Sequence, residues 1–133
     1  MEDLKNFEEV KDIKVADRDT LRIKENHISA SLNALRFRDA DTNQMVSYFP
    51  SLDISGYGSD PEKAMELAKF SIKELFSYLL SLPQEKREAE LRLLGWKNDK
   101  LKHEEFSKVF VDVDGDLKDF AAEGTVERLI IVA

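Results

Sequence analysis

Residues 45–62 read MVSYFPSLDISGYGSDPE, and this stretch decides how the chain folds. MVSYF is strand-like, and Pro50 ends that strand or places it at an edge because proline cannot donate a ladder hydrogen bond. The residues that follow predict a short third strand, in which Gly56 and Gly58 let the chain turn tightly into a helix. Strands followed directly by a long helix indicate an α+β fold.

The glycine turn does not have the composition of a phosphate-binding loop. Such a loop gathers backbone N–H groups around an anion, usually with Lys, Ser or Thr at the start of the helix. Asp60 would repel a phosphate there. Asp60 is instead predicted to be the N-cap, with Pro61 at the first helical position, although a capping box between Ser59 and Glu62 would shift the start by one residue. We therefore interpret this turn as structural.

The helix after the turn is amphipathic. Its apolar residues recur at helical spacing and its charged residues lie largely opposite, so one face is predicted to pack on a sheet. Phe70 and Leu80 fall toward the polar side, where they would touch a second element or another chain. The predicted packed face consists of Ala64, Leu67, Ala68, Ile72, Leu75, Tyr78 and Leu79.

Upstream of the quoted stretch, the sequence predicts a β-hairpin over residues 28–49. Ile28, Ala30 and Leu32 alternate with polar residues, which is the period of a half-buried strand. The apolar residues then change parity, which predicts a bulge near Ala34. The sequence DADTNQ is rich in turn formers and joins this strand to MVSYF.

The N-terminal segment is predicted to be a separate arm. Residues 1–27 are highly charged, and the spacing of Leu4, Phe7 and Val10 suits a short amphipathic helix. We expect this arm to be partly helical and loosely attached, and residues 28–133 to form a single α+β domain.

A second helix is predicted after Pro83, reading QEKREAELRLL. Gly95 is placed as its left-handed C-terminal cap, and Trp96 beyond it would pack back on Leu91. The chain closes with TVERLIIVA, whose apolar end predicts a strand buried in the sheet.

The sequence DVDGDLKDFAAE contains the ligand spacing of a calcium loop. Asp112, Asp114, Asp116 and Glu123 occupy its first, third, fifth and twelfth positions. Leu117 stands where such a loop needs glycine, however, and the flanking residues resemble strands. The Asp-Gly pair between them predicts a hairpin turn rather than a metal site.

Composition excludes several classes of site and partner. The chain has 133 residues, which suits one domain, and it has no cysteine for a disulfide, a thiolate nucleophile or a cysteine zinc site. The net charge of −7 argues against general nucleic-acid binding, with the basic stretch Arg87–Lys102 as the exception to be considered. No apolar run is long enough to span a membrane and the N-terminus does not resemble a secretion signal, so we expect a cytoplasmic protein.

Catalytic patterns are scarce. His27 and His103 stand far apart among polar and charged residues, and no nucleophile elbow, zinc-helix pair or Walker loop occurs. We therefore assign no catalytic, cofactor-binding or metal-binding residue and no cofactor. Asp39, Asp41 and Asp53 lie in predicted turns that the fold would have to bring together before they formed a carboxylate pair.

Tyr48, Phe49, Pro50, Gly58 and Asp60 belong to a pattern over residues 30–82 that resembles the HicB antitoxin family. The shared pattern is a strand, a turn, a strand ending in Phe-Pro, a short strand and a capped helix with repeated Glu and Ala. It departs from the family in the short third strand, where Leu-Pro-Gly is usual and Leu52, Asp53 and Ile54 stand here. The matching residues are Tyr48, Phe49, Pro50, Leu52, Gly58, Asp60, Glu62, Ala64, Ala68 and Ile72.

The resemblance implies a β-β-β-α-β core of partial ribonuclease-H-like fold without catalytic carboxylates, which binds and neutralises a small toxin ribonuclease. To this core the sequence adds a second helix and a C-terminal hairpin and strand. We expect a non-enzymatic protein with a small basic partner, dimerising through sheet edges or helices, with LIIVA as a candidate edge strand. DNA binding by this chain alone is not expected, because it contains no basic recognition helix.

Two alternatives remain open on the same fold. A metal-binding or small-ligand-binding domain would use Asp39, Asp41 or the acidic residues 112–116. An RNA-binding module would use the basic stretch Arg87–Lys102 and would show a steep salt dependence.

Overall fold

The computed structural model describes residues 8–10, 18–99, 104–111 and 113–133, with side chains described from residue 18 onward. It is an α+β fold with an antiparallel sheet and a long helix on one face. The strands are β1 (Glu8–Val10), β2 (Arg18–Lys24), β3 (His27–Asp39), β4 (Met45–Phe49), β5 (Ile54–Gly58), β6 (Lys97–Asn98), β7 (Glu105–Val109) and β8 (Ala122–Val132). The helices are α1 (Pro61–Ser81), α2 (Gln84–Leu93) and the short α3 (Val113–Asp116), and a 3-10 turn spans Pro50–Leu52.

Strand β3 is the spine of the sheet. One of its edges pairs with β8, and the other edge is shared by two strands that do not pair with each other. β2 pairs with the first half of β3 and β4 with the second half. The sheet therefore forks near Asn33: β7 and β6 continue the β2 branch, and β5 continues the β4 branch.

The two faces of the sheet carry two separate apolar clusters. The main core lies between the sheet and the helices α1 and α2, and a second cluster lies on the far face, over the β4 branch. The main core contains Leu21, Ile23, Ile28, Ala30, Leu32, Ala34, Phe49, Leu52, Met65, Ala68, Ile72, Phe76, Leu79, Leu91, Trp96, Phe106, Leu129 and Ile131. The far cluster contains Leu35, Phe37, Val46 and Leu117, with Tyr48, Phe110, Val113, Phe120 and Val126 packed around it.

The change of parity in β3 comes from this double coverage. Leu32 and Ala34 face the main core, whereas Leu35 and Phe37 face the far cluster, so the buried apolar side chains change from one face of the strand to the other between Ala34 and Leu35. The bulge predicted near Ala34 is wrong in position, because the register between β3 and β8 shifts between Arg36 and Arg38.

The predicted hairpin over residues 28–49 and the third strand are confirmed. The role predicted for the glycines is wrong, since both lie within β5 and neither has a positive φ. A Cβ atom at Gly56 would collide with the Ala64 carbonyl and Ala68 amide of α1, and one at Gly58 would lie 2.6 Å from the Cβ of Lys63. These glycines let the helix approach the strand closely.

The start of α1 is confirmed. The Asp60 side chain accepts a hydrogen bond from the Lys63 backbone N–H at 2.9 Å, and Pro61 is the first helical residue.

The predicted packed face of α1 is partly wrong. Leu67 is 40% exposed and Tyr78 49% exposed. Phe70, predicted on the polar side, is exposed. The close contact at Gly56 places Ala68 against the sheet, together with the residues one and two helical turns away from it. Leu67 and Tyr78 therefore lie outside the buried face of the helix. Leu80, expected on the polar side, packs partly buried against the main core.

The second helix and its cap are confirmed. Gly95 has a φ of 91°, in the left-handed region, and follows Leu94, the C-cap residue of α2. The Trp96 backbone N–H donates to the Leu91 carbonyl at 3.0 Å, and both side chains are buried in the main core.

The predicted boundary between residues 27 and 28 is wrong. Arg18–Lys24 forms β2, a strand between β3 and β7, because Leu21 and Ile23 alternate with polar residues and bury in the main core. Val10 lies in a strand rather than a helix. Leu4 and Phe7, the other residues of the helix predicted there, lie outside the described residues.

The terminal strand is confirmed as β8, but the hairpin at Asp114–Gly115 is wrong. Both residues lie in α3, and the strands on either side pair with different partners: β7 with β2 and β6, and β8 with β3 and β1. The connection crosses the far face, where Leu117 buries in the far cluster. The LIIVA segment is also not an open edge, since Ile130–Val132 lies between β3 and β1.

Candidate functional site

A buried polar cluster fills the fork of the sheet. The Asp19 carboxylate accepts hydrogen bonds from the Asn33 backbone N–H at 3.0 Å, from the Asn33 side-chain amide at 2.6 Å and from the Ser51 hydroxyl. Asn33 lies between the residues of β3 that pair with β2 and those that pair with β4, and its N–H donates to the Asp19 side chain instead of to a strand carbonyl. The cluster therefore satisfies the backbone where the two branches separate.

Lys108 lies beside this cluster, with its Nζ 3.5 Å from the Ser51 carbonyl oxygen. Burial raises the pKa of the Asp19 carboxyl in spite of its hydrogen bonds, and burial lowers the pKa of Lys108 although Asp19, Asp116 and Asp53 oppose that change. The adjoining cavity has a volume of 30 Å³, which holds about one water molecule. The cluster has the room for a structural water and not for a substrate.

An open groove of 490 Å³ lies on the far face, between the β3–β4 turn, strand β5 and the segment after α3. Val46, Tyr57 and Phe120 form its apolar floor, and the acidic residues Asp39, Asp41 and Asp119 stand around them. Asp41 and Asp119 are exposed. No Lys or Arg is among the described residues that line this groove. We call it the acidic groove.

Local hydrogen bonds fix the turn wall of the acidic groove. Asp39 Oδ2 accepts from the Thr42 backbone N–H at 3.0 Å and from the Thr42 hydroxyl at 2.7 Å. The Ala40 N–H donates to the Ala121 carbonyl at 2.7 Å, which ties the turn to the segment after α3. The β3–β4 turn and the segment after α3, which form two sides of the groove, are therefore hydrogen-bonded to each other.

Aromatic contacts support the floor from beneath. The Phe120 ring lies 5.3 Å from the Phe37 ring, edge to face, and 4.9 Å from the Tyr48 ring. Because Phe37 is fully buried in the far cluster, the position of Phe120 is set by the core.

One side of the acidic groove is an open sheet edge. Within the part of the chain that the structure describes, β5 pairs with β4 and with no other strand. Tyr57 projects from β5 with 56% of its surface exposed. An unpaired edge and an exposed aromatic side chain are both features that bind protein segments.

Among the carboxylates singled out in the sequence, the fold brings Asp39 and Asp41 to the acidic groove and adds Asp119, which the sequence analysis missed. Asp53 does not line this groove: it follows the 3-10 turn with a left-handed φ of 52°, and its side chain hydrogen-bonds Tyr48 instead. No sequence signal connects Asp119 with the β3–β4 turn, since the link is the backbone bond between Ala40 and Ala121.

The calcium-loop residues do not form a site that the structure can describe. Asp114 and Asp116 lie in α3 and Glu123 in β8, while Asp112 lies outside the described residues. In the described ranges, no group of three or more His, Asp or Glu side chains is placed to hold a metal ion.

The basic stretch is partly occupied by structural contacts. The Arg87 guanidinium donates to the carbonyls of Leu79 and Leu82 at 3.0 and 3.1 Å and pairs with Glu104 at 3.4 Å, so it ties the end of α1 to the turn before β7. Arg92 and Lys97 are described, whereas Lys100 and Lys102 lie outside the described residues.

Of the two histidines, the structure describes His27. His27 is exposed at the start of β3, and His103 lies outside the described residues.

A larger open cleft of 880 Å³ lies over the first turns of α1. Arg36 is buried, and its Nη1 atom lies 3.8 Å from Oε2 of Glu127. The cleft is also lined by Glu62, Glu66 and Lys69. The charges here are mixed, because Arg36 and Lys69 stand among the acidic residues, so this cleft suits a basic partner less well than the acidic groove does.

No family model, curated protein or solved structure matches this chain. No helix in the described part of the chain is long and apolar enough to cross a membrane.

Proposed function

We propose that this chain is a non-enzymatic protein-interaction domain that binds a small basic protein through the acidic groove, in the manner of a HicB-type antitoxin that neutralises a toxin ribonuclease. The observation that carries the proposal is the groove itself, which combines an apolar floor with Asp39, Asp41 and Asp119 and is lined by no described basic side chain. The resemblance of residues 30–82 to the HicB family supplies the class of partner.

The acidic groove contains residues suited to binding energy and residues suited to specificity. The exposed Tyr57 ring and the Phe120 ring offer aromatic surface of the kind that dominates binding energy. The acidic residues attract a basic partner and repel an acidic one, which raises the association rate and adds specificity. The overall charge of −7 acts in the same direction.

Two observations support a non-enzymatic role, one at the buried cluster around Asp19 and one at the acidic groove. The Asp19 carboxylate is occupied by Asn33 and Ser51 beside a cavity of 30 Å³. In the acidic groove, Asp39 is held by Thr42, and no described histidine or lysine lies among the lining residues. Homodimerisation and a cytoplasmic location belong to the same proposal and rest on the family resemblance and on composition, and sedimentation equilibrium tests the dimer.

The test is co-expression of this chain with the product of the neighbouring open reading frame, followed by co-purification and a ribonuclease assay. A short basic protein that co-purifies and loses ribonuclease activity in the complex is the expected result. The double variant Asp41→Lys and Asp119→Lys is expected to weaken the complex by about 10-fold or more, because like charges then face each other.

The matched control reverses two exposed charges away from the groove, in Glu74→Lys and Glu85→Lys. It changes the net charge by the same amount and is expected to leave affinity within about 2-fold, apart from long-range steering that salt screens. Failure of any basic protein to co-purify would overturn the proposed function. Equal weakening by the two double variants would show that overall charge, and not the groove, attracts the partner.

A further inference from the structure

We propose that the partner binds as an extended basic segment that adds to the open edge of β5 as a further strand of the sheet. This inference rests on the proposed function and specifies how the acidic groove is used. Its occupant is a strand of the basic partner with Lys or Arg at alternate positions.

The edge of β5 offers backbone groups that need partners. All five residues of the strand are in register with β4, from Phe49 opposite Ile54 to Met45 opposite Gly58. In a strand, successive N–H and C=O groups point to opposite edges, so part of the β5 backbone faces away from β4. No described residue pairs with that side. An extended segment would satisfy these groups, as in other complexes formed by strand addition.

The two faces of β5 are not equivalent, which restricts what an added strand would contact. Gly56 faces α1 so closely that the helix leaves no space for a Cβ atom. A Cβ atom at this position would lie 2.9 Å from the Cα atom of Ala68. Ser55 and Tyr57 face the opposite side, where both line the acidic groove. Every second side chain of an added strand would therefore point toward the groove.

The acidic and aromatic residues of the groove determine which side chains of an added strand would fit there. A Lys or Arg beside β5 would lie on the same face as the exposed Tyr57 ring, which attracts cations through its π face. Asp41 and Asp119 stand on that face as well. A helix would not use the backbone groups of the edge, so the combination of an open edge and an acidic groove favours an extended basic segment.

The experiment uses the full chain and a capped peptide of alternating lysine and valine, with affinity measured by isothermal titration calorimetry. Two further peptides carry N-methyl groups on the odd-numbered or on the even-numbered amides. In an added strand only one of these two sets of amides faces β5. We expect one N-methylated peptide to bind at least about 10-fold more weakly than the other, and Tyr57→Ala to weaken the parent peptide about 5-fold or more.

Hydrogen exchange provides the second measurement, because strand addition is expected to protect amides within residues 54–58. Equal binding of the two N-methylated peptides, without protection of β5, would overturn strand addition while leaving the acidic groove as the binding site. No binding of the parent peptide would overturn strand addition by a basic segment. In that event the co-expression experiment still decides the proposed function, so the two failures are distinguishable.

Discussion

The two faces of the sheet differ in what covers them. The face under α1 and α2 is apolar along both branches, from Leu21 and Ile23 to Phe49, and its residues are almost fully buried. Among the described residues, the far face is covered over the β4 branch by a small cluster around Phe37, and along β2 it presents polar residues such as Thr20. One face therefore provides most of the buried apolar area, and the other provides the surface on which the acidic groove opens. The following variants test this separation.

The largest effect is expected at the contact between β5 and α1. Gly56→Ala places a Cβ atom against the backbone of Ala64 and Ala68, which cannot move without lifting the helix. We expect the free energy of unfolding to fall by more than about 3 kcal/mol, at or above the usual range for overpacking. Chemical denaturation measures this loss.

Gly124→Ala is the control for that variant, since nothing lies within 4 Å of its added Cβ, although its φ of 75° costs a side chain about 1 kcal/mol. An equal loss at the two glycines would mean that close approach of the helix is not what Gly56 provides.

A direct comparison of the two faces uses neighbouring leucine residues of β3. Leu32 faces the main core and Leu35 the far cluster, and both are fully buried. We expect Leu32→Ala to cost about 3 kcal/mol and Leu35→Ala about 2 kcal/mol, because the smaller cluster lies near solvent and can collapse around the missing atoms. The same denaturation experiment compares them, and a larger loss at Leu35 would reverse the assignment of the dominant face.

The polar cluster at the fork predicts a pH effect. The folded pKa of Asp19 is raised above its ordinary value of 3.8, so the folded state binds this proton more tightly than the unfolded state does. The free energy that Asp19 contributes to folding is therefore greatest below pH 3.8. It falls in the window between pH 3.8 and the raised folded pKa, and it stays low above that window. Asp19→Asn removes this component while keeping an oxygen that can accept from Asn33.

The difference in stability between the Asp19→Asn variant and the unmodified chain, followed by thermal unfolding against pH, is expected to shift in favour of the variant as the pH rises through that window. A difference that does not change with pH would show that Asp19 does not titrate differently on folding.

The smallest effect on stability is expected at Tyr57. Its side chain is 56% exposed on the far face, and Tyr57→Ala should change the free energy of unfolding by no more than about 0.5 kcal/mol. The same variant should weaken partner binding, which separates the recognition surface from the core. A large loss of stability would show that the floor of the acidic groove supports the fold.

Elements with a local signal were predictable from the sequence. Asp60 and Pro61 mark the start of α1, and Gly95 marks the end of α2, because caps depend on the residue at one position. The hairpin of β3 and β4 was predictable from alternation and a turn. Strand β2 has the same alternation at Leu21 and Ile23, but the charges before it concealed that signal, since Asp19 is a buried carboxylate that only the fork explains.

Features that depend on distant pairing were not predictable. An Asp-Gly pair suits a hairpin turn, and it lies in α3 here because β7 and β8 join different partners. The acidic groove requires Asp119 to meet Asp41, which depends on a backbone bond between segments far apart in the chain. Sequence spacing contains no record of such contacts.

The pairing of β3 with β8 also has a consequence for the order of folding. Ser31 pairs with Val132, so residues 32–131 lie between two residues that are direct neighbours in the sheet. The pairs of β3 with β2 and β4 are close in sequence and can form early, whereas the edge of β3 that takes β8 must wait for a long loop to close. Leu129 and Ile131 enter the main core only at that step. Refolding should therefore be limited by this last docking, with α1 and the local hairpins already formed.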